Sequence, residues 1–179
     1  MKMEQQLMHM NPMRTIRIEK LTLNIGAGKD QGLLAKGEKL FEQLTGIKPV
    51  KTKTQKRIPS WGLRPGLPIG LKLTLRGAQA EQLIPRLLAA KSLTLKASNV
   101  DDAGNVSFGI PEYIDITGAK YDPEIGIIGL QACITLERPG YRVKRKRIRP
   151  AKPGESHRIT PDESKAFMAE RFKVQFEEA

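Results

Sequence analysis

From Ile69 to Arg76 the chain alternates without a break. Ile69, Leu71, Leu73 and Leu75 fall on one side, and Gly70, Lys72, Thr74 and Arg76 on the other. Successive side chains of a strand leave opposite faces, so this segment demands a sheet with one face packed and the other wet. The neighbouring segments say what does the packing. Leu33, Gly37, Leu40, Phe41 and Leu44 follow helical spacing between Gln31 and Leu44, and Gly46 and Pro49 stop that helix. Ala80, Leu83, Ile84, Leu87 and Leu88 make a second amphipathic stripe, which Pro85 either kinks or begins.

Further strands are expected at 15–25, 106–110 and 129–138. In the first, Ile16 and Ile18 share a face that Leu21, Leu23 and Ile25 join only after a one-residue shift. A bulge or break near Glu19-Lys20 would supply it. In the last, Leu130, Ala132, Ile134 and Leu136 oppose Gln131, Cys133 and Thr135. Residues 49–54 suit an edge strand, and Val174 and Phe176 suit a short final one. Thr160-Pro161-Asp162-Glu163 has the pattern of a capped helix start, with a short helix to about Arg171. The expected fold is α+β: an antiparallel sheet, helices packed on one face, and an open polar face carrying Lys72, Thr74, Arg76, Gln131 and Thr135. Such a face suits RNA, which proteins hold by shape, phosphate and 2′-hydroxyl contacts. The 179 residues are expected to make one domain, with 1–13 as a flexible N-terminus.

Charge sharpens the reading. The net charge is +12, and it is unevenly placed. No acidic residue occurs between Glu42 and Glu81, a stretch that carries Lys48, Lys51, Lys53, Lys56, Arg57, Arg64, Lys72 and Arg76. A second acid-free stretch follows Glu137 and holds Arg138, Arg142, Lys144, Arg145, Lys146, Arg147, Arg149 and Lys152. Acids gather instead at Asp101-Asp102, from Asp115 to Glu124, and in the tail. This separation points to a polyanion, and basic residues in strands and loops favour nucleic acid over a membrane surface. The loop 55–68 holds three prolines and two glycines, with Trp61 among Lys56, Arg57 and Arg64. Trp61 either stacks on a base or ribose or packs the loop onto the core. The Pro- and Gly-rich basic segment 139–159 is expected to be extended, and open to disorder without a partner.

Several function classes fail on the residues. Gly26-Ala27-Gly28 is followed by Gly32, one position late for a dinucleotide fingerprint, and Gly28-Lys29-Asp30 is not a phosphate loop. His9 and His157 are isolated, so neither a triad nor a metal site is supported. No carboxylates are spaced for acid–base work. Cys133, the one cysteine, lies in an apolar run and is expected to be a small buried hydrophobe. No catalytic residue, metal or cofactor is expected. The absence of a secretory signal or long apolar run makes the cytoplasm the expected compartment.

Certain runs also carry a resemblance. Lys20-Leu21-Thr22-Leu23-Asn24-Ile25-Gly26-Ala27-Gly28 and Leu44-Thr45-Gly46-Ile47-Lys48-Pro49 are two markers. The run Arg64-Pro65-Gly66-Leu67-Pro68-Ile69-Gly70-Leu71-Lys72-Leu73-Thr74-Leu75-Arg76 is the most specific. Asn105-Val106-Ser107-Phe108-Gly109-Ile110 and Tyr121-Asp122-Pro123-Glu124 follow in order. Together, over about Met13 to Phe176, they resemble the universal large-subunit ribosomal protein five family, which binds 5S ribosomal RNA. The stretch Ile134 to Lys146 and the tail after it resemble the archaeal form. Ile47 departs from the Gln that the family often carries after Thr-Gly.

The resemblance implies a structural constituent that clamps 5S rRNA beside 23S rRNA in the central protuberance, next to a neighbouring 5S-binding ribosomal protein. Asn24, Thr52 and Thr74 match family positions at the 5S rRNA surface. Together with the charge pattern, the expected RNA-binding set is Asn24, Lys51, Thr52, Lys72, Thr74, Arg76, Arg142, Lys144, Arg145, Lys146 and Arg147. The loop 54–67 resembles the one that reaches transfer RNA in the peptidyl site, with Lys56, Arg57, Trp61 and Arg64 as its contacts. The acidic loop 115–124, with Asp115, Asp122 and Glu124, resembles the part that meets a basic protein of the small-subunit head. A free RNA-binding chaperone or regulator is the competing expectation.

Overall fold

The computed structural model describes residues 11–177. In chain order these form β1 (Arg17–Gly26), α1 (Gln31–Thr45), β2 (Val50–Lys53), β3 (Pro68–Leu75), α2 (Ala78–Ala89), β4 (Thr94–Lys96), β5 (Val106–Ile110), β6 (Leu130–Glu137), α3 (Pro161–Phe172) and β7 (Gln175–Glu177). Five strands make one sheet in the order β2-β3-β1-β6-β5, and every neighbouring pair is antiparallel. β4 and β7 pair in parallel as a separate ribbon. The fold is the expected α+β arrangement.

The alternation places the core. Leu21, Leu23 and Ile25 of β1, Leu71, Leu73 and Leu75 of β3, and Leu130, Ala132, Ile134 and Leu136 of β6 are all buried. They form one cluster with Leu34, Leu40 and Phe41 of α1 and Leu83, Ile84, Leu87 and Leu88 of α2. Burying each such Leu or Ile stabilises the fold by about 1.5–3 kcal/mol. α1 comes unusually close to the sheet at Gly37, where an added Cβ would lie 2.9 Å from Leu71 Cδ1 and 3.5 Å from Ile25 Cδ1. Glycine there removes the atom that would hold the helix away.

The one-residue shift in β1 is a bulge. Ile18 pairs with Leu136 and Lys20 with Thr135, so Glu19 is the extra residue. Local chemistry also sets the helix ends. The Asp30 carboxylate accepts from the N–H groups of Gly32 (2.8 Å) and Leu33 (3.2 Å), and Gly46 ends α1 at φ 71°. α2 runs through Pro85 instead of starting there, which leaves the Glu81 carbonyl without its intrahelical donor. Thr160 and Glu163 make the expected capping box at α3.

Of two expectations about irregular segments, the first lies mostly outside the described residues and the second changes. Residues 1–10 of the N-terminus lie outside the described residues, whereas Pro12–Arg14 form a 3-10 turn capped by Asn11. The segment 139–159 is not extended throughout. It folds through 3-10 turns at Tyr141–Lys144 and Glu155–His157, because buried polar anchors hold both of its ends. Arg138, 4% exposed, donates to the carbonyls of His157 and Arg158 and to Glu163 Oε1 at 2.7 Å. The Tyr141 hydroxyl donates to the His157 carbonyl and accepts from the Ile159 N–H, both at 3.1 Å.

Candidate nucleic-acid interface

Strand register fixes what the open face offers. One row across the sheet is Val50, Lys72, Asn24, Gln131 and Gly109. The next is Thr74, Thr22, Cys133 and Ser107. Thr52, Gly70 and Gly26 lie to one side, and Lys20 and Thr135 to the other. At the usual strand spacing the five-strand row spans about 19 Å. The rows together present hydroxyls, two amides and lysines, groups that donate to phosphate and address ribose or base edges. Asn24 Nδ2 donates to Gln131 Oε1 at 3.3 Å, which leaves Asn24 Oδ1 and Gln131 Nε2 directed to no other protein group among the described residues.

At the far end of this sheet the bulge brings Glu19 beside Glu137, and both carboxylates are covered. Arg145 donates to Glu19 Oε1 at 2.7 Å and to Glu137 Oε2 at 2.9 Å, while Arg17 lies 2.6 Å from Glu137 Oε1. The acids are therefore neutralised from within, and Arg145 has a structural task.

The expected RNA-binding residues do not all share one surface. Asn24, Thr52, Lys72 and Thr74 lie together on the open face, and Arg76 follows β3 in an exposed position. Lys51 does not join them. It pairs with Leu71, so its side chain leaves on the helix side and meets Glu38 of α1 at 3.0 Å. Hydrogen bonds from Lys51 and from Lys48 (3.2 Å) hold the Glu38 carboxyl below the usual range. The one-residue difference between Lys51 and Thr52 decides the face. Arg142, Lys144, Lys146 and Arg147 are exposed on the basic segment, and the Lys144 ammonium lies 5.0 Å from the Tyr141 ring centroid. Sequence reasoning missed Lys20, Thr22 and Ser107 on the open face. The alternation of β1 beyond its bulge and that of β5 were the signals.

Cys133 is a further correction: it is exposed on the open face and not in the core. The apolar residues around it, Ala132 and Ile134, face the other way. Desolvation against the sheet and then the Asp101 charge push its thiol above the usual range, so it stands as a neutral thiol.

The loop 54–67 is a closed structure. Thr54 N–H donates to the Leu67 carbonyl and Gly66 N–H to the Thr54 carbonyl, both at 2.9 Å. Ile58 and Leu63 form an antiparallel bridge around a 3-10 turn at Pro59–Trp61. Buried Leu63 ties this loop to the body, while Trp61 stands 67% exposed. Core packing by Trp61 is thereby set aside. Lys56, Arg57 and Arg64 are exposed around it.

Of the acidic-loop residues, Asp115 is exposed at the end of a 3-10 turn. The Asp122 carboxylate accepts from the Glu124 N–H at 2.9 Å, and the Asp122 N–H donates to the Tyr113 hydroxyl at 3.0 Å. Glu124 forms an ion pair with Lys39 of α1. Among the described residues no group of His, Cys, Asp and Glu is placed to hold a metal, and no helix is long and apolar enough to cross a membrane.

Residues 11–64 match the family model described as Ribosomal protein L5, and residues 68–174 match the model of the C-terminus of the same ribosomal family. The chain belongs to the ribosomal protein L5 family. It is 53% identical over 166 residues to the large ribosomal subunit protein uL5 of Nanoarchaeum equitans, covering 92% of this chain and 98% of that one. The uL5 of Sulfurisphaera tokodaii is 47% identical over 92% of this chain and 93% of its own. That of Methanosphaera stadtmanae is 45% identical over 94% and 100%. All three are archaeal, in keeping with the archaeal form expected from the Ile134–Lys146 stretch. As a member of this family the chain is a ribosomal, RNA-binding protein of translation and not an enzyme.

Proposed function

We propose that the chain holds 5S ribosomal RNA on the open face of its five-stranded sheet and anchors it with 23S rRNA in the central protuberance. The observation that carries this reading is the composition of that face. Asn24, Thr22, Thr52, Lys72, Thr74 and Gln131 lie on it in paired rows, and the two acids at its bulged end, Glu19 and Glu137, are already paired with Arg145 and Arg17. Hydroxyls and amides suit ribose and base edges, while Lys72 and Lys20 suit phosphate. The exposed cations Arg142, Lys144, Lys146 and Arg147 supply a second phosphate-binding edge for 23S rRNA.

The closed loop 54–67 contacts transfer RNA in the peptidyl site, with Trp61 free to stack and Lys56, Arg57 and Arg64 around it. The acidic loop 115–124 meets a basic protein of the small-subunit head, chiefly through Asp115, because Glu124 and Asp122 are partly engaged within the chain. A neighbouring 5S-binding ribosomal protein completes the set of partners, and the ribosome in the cytoplasm is the compartment.

The test is binding of the purified protein to 5S rRNA, transfer RNA and an unrelated RNA of equal length across a salt series. A preference for 5S rRNA that survives rising salt is expected. Equal binding to all three with steep salt dependence would show phosphate attraction alone and would move the reading to a free RNA chaperone.

A further inference from the structure

Where the open face ends at β5, the surface drops into a trench. One recess of about 580 Å³ is lined by Asn24, Gly26, Gly109, Gly129 and Gln131. A second, of about 460 Å³, lies toward the β4–β7 ribbon and holds Lys96, Asn99 and Glu177. Lys91, Gly109 and Pro111 line both, so the two recesses are continuous. Each has the volume of a small-ligand cleft but is shallow and open to solvent.

Three features give the trench a chemistry. Its floor is bare of side chains: a Cβ added at Gly26 or Gly109 would meet no atom within 4 Å. Its lining includes the Asn24–Gln131 amide pair, whose remaining Oδ1 and Nε2 offer an acceptor beside donors. Lys91 lines both recesses, and its ammonium makes no ion pair among the described residues. Lys91 follows the end of α2, and directly after it the chain makes a left-handed turn at Ser92 (φ 55°) and Leu93 (φ 58°), conformations that side-chain-bearing residues seldom adopt.

We infer that this trench takes one nucleotide extruded from the bound RNA, an inference that rests on the sheet face being an RNA surface. The base lies over the glycine floor, flanked by Pro111, where a flat ring fits and a Cβ would obstruct it. The Asn24 and Gln131 amides address its hydrogen-bonding edge, as paired donors and acceptors do for unstacked bases. Its phosphate sits at Lys91. In the far recess Lys96 and Glu177 carry opposite charges that offset one another, so Lys91, which lines both recesses, is the cation left to take a phosphate at the junction. A nucleotide brings a flat ring and an anion on one group, and it reaches the trench from the face already read as an RNA surface, so the nucleotide is the better fit.

The experiment uses the full chain and 5S rRNA, with chemical probing of every base edge and ribose in free and bound RNA. Gly109→Val fills the floor into open space and suits an edge strand, and Lys91→Ala removes the cation. Thermal melting checks that both variants fold. In the wild-type complex one unpaired nucleotide is expected to lose base-edge reactivity. In both variants that position alone regains the reactivity of free RNA, the rest of the footprint persists, and affinity falls roughly tenfold. A footprint and affinity unchanged in both folded variants would overturn the inference, and so would a protein partner whose binding is lost while RNA protection is not. Absence of any wild-type footprint would instead overturn the RNA reading of the face itself.

Discussion

Single atoms decide much of what this face can do. The Thr74 hydroxyl stands in the row with Thr22, Cys133 and Ser107. Thr74→Val keeps the shape and the strand preference but removes the hydroxyl. Affinity for 5S rRNA at fixed salt is expected to fall several-fold, about 1 kcal/mol for one hydrogen bond, with the melting temperature unchanged. Equal affinity would remove Thr74 from the contact surface. Glu163 gives a second test at this scale. Burial alone would push its carboxyl up, but the Thr160 N–H and the Arg138 guanidinium outweigh that and hold it below the usual range. A carboxyl depressed in the folded state stabilises the protein above its unfolded pKa, near ~4.3, and that contribution is lost as the pH falls through the folded value. Glu38, held down by Lys51 and Lys48, acts with the same sign. Glu163→Gln is expected to lower the melting temperature at pH 7 and to flatten its acid decline below about pH 5. An unchanged decline in thermal melts would locate the acid sensitivity elsewhere.

At the scale of elements, the loop 54–67 and the sheet face are separable. The loop closes on itself through Thr54, Gly66 and the Ile58–Leu63 bridge, so its exposed cations can be removed without disturbing β2 or β3. Replacing Lys56, Arg57 and Arg64 together by Ala is expected to leave 5S rRNA affinity within about threefold at matched salt. Transfer RNA positioning in reconstituted ribosomes is expected to fail. Equal losses of both activities would mean that loop and face form one surface. Elements with a strong period were legible in advance: β3, α1, the β1 bulge and the α3 capping box all follow from residue spacing. Face assignment was less secure where the period was short. In 49–54 the alternation shows two faces but not which one meets α1, and only pairing with β3 settles that Lys51 turns inward to Glu38 while Thr52 turns outward. β4 was not anticipated because it buries a single apolar residue, Leu95, between polar neighbours, and the trench depends on elements far apart in sequence. Cys133 was misplaced because hydrophobic neighbours alternate away from it.

For the molecule as a whole, one side chain joins distant parts. Arg145, on the basic segment, spans Glu19 of the first strand and Glu137 of β6. The two carboxylates are 6% exposed, while Arg145 is 44% exposed. Arg145→Ala would leave Glu137 paired only with Arg17 and Glu19 with no cation partner among the described residues. The expected loss is roughly 2–3 kcal/mol, less than for a wholly buried pair because the guanidinium is partly solvated. Urea unfolding measures it. A loss near zero would show that water already shares these carboxylates.

The order of the sheet has a consequence for how the chain is made. β1 is the central strand: one edge is satisfied by β3, which ends at Leu75, and the other by β6, which ends at Glu137. During synthesis the first hairpin-like half can form while the second edge of β1 is still without a partner. At ordinary translation speed that interval is roughly 3–12 s. Through it, a growing polypeptide exposes a leucine-rich strand with unpaired backbone groups, the kind of template that pairs with stray neighbours. A newborn copy therefore passes its most vulnerable moment at midlength, before the residues that would shield it have been translated.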